Sequence, residues 1–323
     1  MKYRIAIAGS TKNTVLMAEA VKLSSNFEIA YTLSPAPKLI GRKQILTQNP
    51  LHSWSLERKL PAFLVEGKIE KSSIEEFNKM GDIDFLLVVD FGYLIPKWLL
   101  ELPKIAPLNI HPSLLPKWRG SSPGQFCLLF QDLDENGKKS AVTLMIMNES
   151  LDRGPIISQL LFDLQENWTQ KEYYEHAFSL ISTKLTELIS DFAQGKIQAK
   201  EQTEESPTAI ARRLSKQDSF VDWMELQKLM NGKEADKTKI LTNLLAEHPL
   251  FQDKISQIKL MVNACKAFNP WPSLWTTVIT NSGEKRMKIL SCHLEKETLV
   301  LDSVQIEGKN PSSWNECKNS VKN

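Results

Sequence analysis

Short apolar runs alternate with segments whose apolar residues recur at helical spacing throughout the first half of the chain. The predicted strands are Tyr3–Ala8, Phe27–Leu33, Ala62–Val65, Asp84–Asp90, Ala106–Ile110, Ala141–Met147 and Ile156–Leu164. Helices are predicted over Asn13–Leu23, Leu51–Leu60, Ser72–Met80 and Gln125–Gln131. This alternation predicts an α/β fold with a doubly wound, mostly parallel sheet, which is Rossmann-like in its general plan.

Polar chemistry is expected where the strands of this sheet end, because doubly wound sheets bind ligands beyond the carboxyl ends of their strands. Asn109 and His111 lie at such an end. They project on the same side, since side chains alternate along a strand. An amide offers a donor and an acceptor, and an imidazole exchanges a proton near neutral pH. The two residues could polarise a carbonyl and manage a proton, although a single strand-end histidine is more often a packed core residue.

The second half of the chain changes in character. Residues 169–194 have the pattern of one long amphipathic helix that ends at Gly195. The polar, proline-closed segment that follows is typical of a linker between domains. We therefore expect a catalytic domain over residues 1–195, a linker over 196–210 and a smaller C-terminal domain over 211–323.

Composition narrows the possible classes of protein. The 323 residues are 42% hydrophobic, which suffices for two packed cores. The chain has no apolar run of about eighteen residues, and its start resembles a strand rather than a signal peptide, so a cytoplasmic protein is expected. Four cysteines without C-x-x-C spacing predict neither a zinc site nor a disulfide framework. The net charge of +2 does not indicate nucleic-acid binding, and the turn GSTKN lacks a dinucleotide motif.

Two motifs carry a family resemblance. The segment LNIHPSLLPKWRGSSPG, residues 108–124, contains Asn-x-His, Ser-Leu-Leu-Pro and Arg-Gly, and LDRG occupies residues 151–154. Both closely resemble the signature of the folate-dependent formyltransferases. The resemblance implies a catalytic set of Asn109, His111 and Asp152, with no metal and no covalent intermediate. The chain departs from the family pattern at four positions: Asp90, Pro112, Ser150 and Pro155.

The resemblance also implies the reacting molecules. The formyl donor would be 10-formyltetrahydrofolate, a co-substrate. Its pocket would be lined by Phe91, Gly92, Ser113, Leu114, Leu115 and Pro116. Taken alone, Ser113 is best interpreted as a residue that shapes its loop close to the folate.

Within that family, SLLPKWRG and KAFNPWPSLWTT are most similar to the members that act on initiator methionyl-tRNA. The resemblance implies formylation of the methionine amino group for translation initiation, and a C-terminal barrel of OB type that binds tRNA. The predicted tRNA contacts are Arg42, Lys43 and Arg119. Arg42 and Lys43 lie in a basic loop after the second predicted strand; without the resemblance, this loop would be interpreted as a solvated surface loop.

Residues 224–264 depart from the family and are predicted to form a helical insertion. A monomer is expected because no coiled-coil repeat is present.

Two other functions stay open at this point. A formyltransferase for an amino-sugar nucleotide can pair the same catalytic domain with an OB-like one; Arg42 and the FNPWP motif favour tRNA instead. A non-catalytic RNA-binding relative is the third possibility, and the presence of all three catalytic-type residues argues against it.

Overall fold

The structure is a computed structural model that describes residues 2–41, 43–133, 138–203, 205–245 and 253–322. Its strands are β1 (Tyr3–Gly9), β2 (Phe27–Pro35), β3 (Lys38–Ile40), β4 (Ile45–Thr47), β5 (Ala62–Val65), β6 (Phe85–Val89), β7 (Ala106–His111), β8 (Lys139–Ile146), β9 (Ile156–Asp163), β10 (Leu274–Thr280), β11 (Gly283–Glu295), β12 (Thr298–Ile306), β13 (Ser312–Ser313) and β14 (Val321–Lys322). Its α-helices are α1 (Lys12–Leu23), α2 (Pro50–Glu57), α3 (Ile74–Met80), α4 (Lys97–Leu100), α5 (Pro123–Leu129), α6 (Gln170–Ser182), α7 (Leu185–Ala193), α8 (Trp223–Met230), α9 (Thr242–Leu245), α10 (Lys254–Ala267) and α11 (Trp314–Cys317).

The first sheet has seven strands in the order β5-β2-β1-β6-β7-β8-β9. The strands from β5 to β7 pair in parallel, and β8 runs antiparallel to β7. Strand β6 is buried along its whole length, as expected of an apolar run inside a parallel sheet. The order reverses between β1 and β6, which makes their carboxyl ends the topological switch point. The predicted doubly wound α/β fold is confirmed.

The turn from β1 into α1 is clamped to the end of β6. Thr11 is the N-cap of α1, and its hydroxyl accepts a hydrogen bond from the backbone N–H of Thr14. The Thr14 hydroxyl in turn donates to the Val89 carbonyl over 2.8 Å. A Cβ on Gly9 would lie 2.2 Å from that carbonyl oxygen, so only glycine fits at this approach.

Two sequence expectations differ from the structure. The single long helix predicted after residue 169 is wrong, because α6 ends at Ser182 and α7 begins at Leu185. At this break, Ser182 and Thr183 donate hydrogen bonds from their hydroxyls to the carbonyls of Ser179 and Leu180, and such bonds compete with helix hydrogen bonding. The segment predicted as a loop after β2 contains the hairpin β3–β4, paired antiparallel.

The second sheet is antiparallel, with five strands in the order β13-β12-β11-β10-β14. It is the sheet of a small barrel-type domain and confirms that part of the predicted fold class. Helix α9 lies within the predicted helical insertion, residues 224–264, and α8 and α10 overlap its two ends; residues 246–252 lie outside the described part.

The chain divides into two compact units. The first comprises Met1–Arg119, Ala141–Phe162 and Glu175–Ser206, and the second comprises Gly120–Ser140, Asp163–Tyr174 and Pro207–Asn323. Among the described residues, no helix combines the length and the apolar character needed to cross a bilayer.

Candidate active site

His111 ends β7 and is buried at the carboxyl edge of the sheet. Its Nε2 lies 3.1 Å from the backbone carbonyl of Trp118. A carbonyl can only accept, so Nε2 carries a proton in this hydrogen bond. The other ring nitrogen, Nδ1, lies 3.7 Å from Oδ2 of Asp152, which is within ion-pair range but longer than a hydrogen bond. The structure therefore brings the predicted imidazole and carboxylate together.

Asn109 precedes His111 by two residues and is half-buried. Its side-chain amide makes no hydrogen bond with any residue in the described ranges. Polar side chains that lie inside a protein are normally paired. An amide with both its donor and its acceptor available beside His111 is therefore suited to bind a substrate carbonyl.

Asp152 lies in the turn between β8 and β9, with a left-handed backbone (φ +51°). Gly154 follows it, and a Cβ there would lie 1.9 Å from the Ile146 carbonyl oxygen, so the turn passes very close to the end of β8. Gln202 fixes this turn from outside. Its Nε2 donates to the carbonyls of Asp152 (3.0 Å) and Gly154 (2.7 Å).

Arg119 anchors Gln202. Its Nη2 donates to Oε1 of Gln202 over 2.8 Å and to the Thr203 carbonyl over 2.9 Å, and its Nε donates to the same Oε1 over 3.2 Å. Burial and the charge of Arg153 lower the pKa of Arg119, and Asp152 opposes them. The residue is only 3% exposed. This burial supports a structural role for Arg119 in holding Gln202. The tRNA contact predicted for Arg119 stays a prediction, and the burial of the side chain does not support it.

Gln202 is a site residue that sequence reasoning missed. It lies in the polar segment that was interpreted as a linker, where its composition gives no signal of a structural contact. Part of the segment also pairs with the first sheet, since Lys200 forms a backbone bridge with Ile156 at the start of β9. The predicted linker therefore holds the Asp152 turn in place.

The Ser-Leu-Leu-Pro loop after His111 is internally hydrogen-bonded. The Ser113 hydroxyl donates to the Lys117 carbonyl (2.8 Å), and Thr143 donates to the Ser113 carbonyl (2.7 Å). Gln159 donates to the Leu115 carbonyl over 2.9 Å. Ser113 and Leu115 are buried, while Leu114 and Pro116 are half-buried. Ser113 thus shapes the loop, and the folate contacts predicted for these four residues stay predictions.

The other predicted pocket residues follow β6. Phe91 is half-buried, and its ring centroid lies 5.4 Å from that of Tyr93. Gly92 is exposed, and a Cβ built there would meet open space. An aromatic pair beside an unobstructed backbone offers a surface on which a flat heterocycle could stack.

Asp90, one of the departures from the family pattern, immediately follows β6 at the switch point. Its Oδ2 accepts hydrogen bonds from Thr11 Oγ1 (2.8 Å) and Asn13 Nδ2 (2.9 Å). Burial raises the pKa of the Asp90 carboxyl, while those two hydrogen bonds and the charge of His111 act in the opposite direction.

The predicted tRNA loop is the end of the hairpin β3–β4. Arg42 lies outside the described residues, and Lys43 is exposed. Leu39, Ile45 and Leu46 on the same hairpin are 59%, 61% and 66% exposed. Within the described ranges, no group of three or more His, Cys, Asp or Glu residues is placed to hold a metal ion.

These observations define the class of protein: a doubly wound α/β domain with an amide, an imidazole and a carboxylate at a strand end, followed by an antiparallel barrel-type sheet. A family model described as formyl transferase matches residues 1–187. The chain belongs to the formyl transferase family.

One relative is similar in sequence, and two solved structures are similar in fold. The chain is 32% identical over 205 residues to a methionyl-tRNA formyltransferase of Listeria welshimeri, an alignment that covers 63% of this chain and 63% of that relative. The structure of methionyl-tRNA formyltransferase from Clostridium thermocellum is similar with a TM-score of 0.52 at 14% identity, over 95% of this chain and 99% of that one. An N-formyltransferase from Helicobacter canadensis, solved with folinic acid and dTDP-3-aminofucose, gives a TM-score of 0.56 at 17% identity, over 92% of this chain and 89% of that one. These two structures share the fold.

Proposed function

We propose that this chain transfers a formyl group from 10-formyltetrahydrofolate to the amino group of methionine on initiator methionyl-tRNA. Membership of the formyl transferase family supports the reaction. The observation that carries the proposal is the amide of Asn109, which has no hydrogen-bond partner among the described residues and lies two residues from His111, whose Nδ1 is 3.7 Å from Asp152.

The reaction needs charge stabilisation at one oxygen. The attacking amine adds to the formyl carbon, and the formyl oxygen becomes negative until the bond to the folate nitrogen breaks. Asn109 supplies a donor for that oxygen, and His111 supplies a second when its Nδ1 is protonated. One such donor lowers the barrier by about 3 to 4 kcal/mol.

The reaction also moves one proton from the amine to the departing folate nitrogen. Asp152 lies on the Nδ1 side of His111, where its carboxylate can pair with a protonated ring and can orient a water that relays the proton. Neither step requires a covalent bond to the protein. The protein binds and orients the two substrates, and it holds the proton during its transfer.

The hairpin β3–β4 supports tRNA as the carrier of the amine. It exposes Lys43 beside three apolar side chains, and the Nζ of Lys38 lies 5.7 Å from the Tyr93 ring centroid next to the proposed folate surface. Exposed cations suit phosphate oxygens, and apolar side chains suit the faces of bases. We further propose that residues 211–323 form a tRNA-binding domain of OB type, joined to the catalytic domain by residues 196–210.

A formylation assay with alternative acceptors tests the proposal. Purified protein is given 10-formyltetrahydrofolate with charged initiator methionyl-tRNA, with charged elongator methionyl-tRNA, or with a dTDP-amino sugar. We expect transfer to the initiator only. Transfer to the sugar nucleotide alone would establish the alternative substrate, and tRNA binding without any transfer would establish a non-catalytic relative. The proposal also implies a monomeric, cytoplasmic protein, which sedimentation and cell fractionation test.

A further inference from the structure

Asp90 and His111 lie at the carboxyl ends of two neighbouring strands, β6 and β7. The parallel pairing of β6 with β7 places Val88 opposite Asn109, and Asp90 and His111 each lie two residues further along. Adjacent strands run about 4.8 Å apart, so these residues follow neighbouring strand ends at the same edge. Asp90 departs from strand geometry, with a φ of +49°.

The Asp90 carboxylate is held by the turn that begins α1. Thr11 and Asn13 donate to its Oδ2, and the Ser10 hydroxyl donates to its backbone carbonyl over 3.1 Å. Helix α1 has no acidic residue in its first turn. Asp90, which follows β6, therefore supplies the negative charge that is favourable at the N-terminus of α1. Its Oδ1 accepts no hydrogen bond from the described residues.

The charges around His111 come from two sides. Asp152 lies 3.7 Å from Nδ1, with Arg119 and Arg153 close enough to influence each other. Asp90 lies on the β6 side, and the positive charge of a protonated His111 partly offsets the rise that burial causes in the pKa of Asp90. The attraction between the Asp90 carboxylate and a protonated His111 is mutual.

We propose that Asp90 is a positioning residue of the active site, which holds the imidazolium of His111 between two carboxylates, its own and that of Asp152. The inference rests on the proposed function, in which a protonated His111 donates to the developing oxyanion. Asp90 acts through His111 and through the α1 turn. The charge at the end of β6 thereby contributes to the electrostatic environment of the reaction.

Carbon-13 NMR of the Asp90 carboxyl tests the pairing without any substrate. The resonance is assigned by its loss in Asp90→Asn, and its titration is followed in the wild type, in His111→Asn and in His293→Asn. The control residue, His293, pairs with Asp302 on the second sheet. We expect His111→Asn to move the titration midpoint to higher pH by about half a unit or more, since a nearby cation is lost. We expect His293→Asn to leave it unchanged.

Kinetics of Asp90→Asn test the positioning role. Asparagine can accept the same two hydrogen bonds, so the α1 turn stays anchored while the charge is removed. We expect kcat to fall about tenfold, with KM for both substrates within about twofold of the wild type. Equal Asp90 titrations in the two histidine variants, or an unchanged kcat in Asp90→Asn, would overturn the inference. Absence of formyl transfer in the wild type overturns the proposed function instead, and the titration still decides the pairing.

Discussion

The carboxylate Oδ2 of Asp152 lies 3.7 Å from Nδ1 of His111, although the two residues come from different parts of the first sheet. His111 ends β7, whereas Asp152 occupies the turn between β8 and β9. Strand β8 runs antiparallel to β7, with Thr143 opposite His111 and Ile146 opposite Leu108, and the Asp152 turn follows β8. It is held there by Gln202.

Removing the charge of Asp152 should impair catalysis and leave the fold intact. Asparagine tolerates the left-handed backbone that this position requires, so Asp152→Asn keeps the turn. We expect turnover to fall about a hundredfold or more, in line with the loss of a group that supports proton transfer. Steady-state formylation measures the effect, and thermal unfolding checks the fold. Asp163→Asn, an equal loss of charge at the exposed end of β9, should retain full turnover; a similar loss in both variants would argue against a specific role.

Replacing Gln202 should lower turnover, because its side chain holds the Asp152 turn without reaching the reacting groups. Gln202→Leu removes two hydrogen bonds to the Asp152 turn and leaves Arg119 without its Oε1 acceptor. We expect kcat to fall about tenfold, because small displacements of a catalytic group are costly. Gln165→Leu is the matched control, since Gln165 is exposed and its side chain hydrogen-bonds, within the described ranges, to the Asp163 carbonyl alone. Wild-type kcat in Gln202→Leu would mean that the turn holds its shape unaided.

Asp90 should make stability depend on pH. Burial raises its pKa in the folded chain, so the native state keeps the proton to higher pH than the unfolded state does. The contribution of Asp90 to the free energy of unfolding therefore falls as the pH rises from its pKa in the unfolded chain through its higher pKa in the folded chain. Asp90→Asn should be more stable than the wild type at neutral pH, and the advantage should vanish below about pH 3.9. Urea unfolding across this range measures it; a constant difference at all pH values would contradict the assignment.

Lys43 should contribute to tRNA affinity through phosphate contacts. It is exposed at the end of the hairpin β3–β4, so Lys43→Ala should leave folding unchanged and raise KM for tRNA. The slope of log affinity against log salt should become shallower by about one, because one counterion fewer is released. Lys71→Ala, which removes an exposed lysine before α3, serves as the control. Equal salt slopes in both variants would remove Lys43 from the proposed tRNA surface.

Most of the fold was predictable because its signals are local. The apolar runs of β1, β5 and β6 and the strand end at His111 mark the sheet directly. The break between α6 and α7 was not predictable, since it depends on two hydroxyls that bond to carbonyls inside an otherwise continuous amphipathic pattern.

The candidate site divides in the same way. Asn109, His111 and Asp152 could be proposed from motifs, whereas their supports depend on contacts distant in the chain. Gln202 lies in a polar segment with no marked pattern, and the partners of the Asp90 carboxylate lie at the start of α1. No periodicity in a single sequence encodes such contacts.

The most direct test of the central claim is the single-turnover rate of formyl transfer in Asn109→Ala. The Asn109 amide makes no hydrogen bond within the described part of the chain, so its removal should leave thermal stability unchanged. We expect the rate to fall on the order of a hundredfold or more, because one oxyanion donor is lost. Asn78→Ala, an exposed change on α3, should react at the wild-type rate. A wild-type rate in Asn109→Ala would contradict the proposed active site.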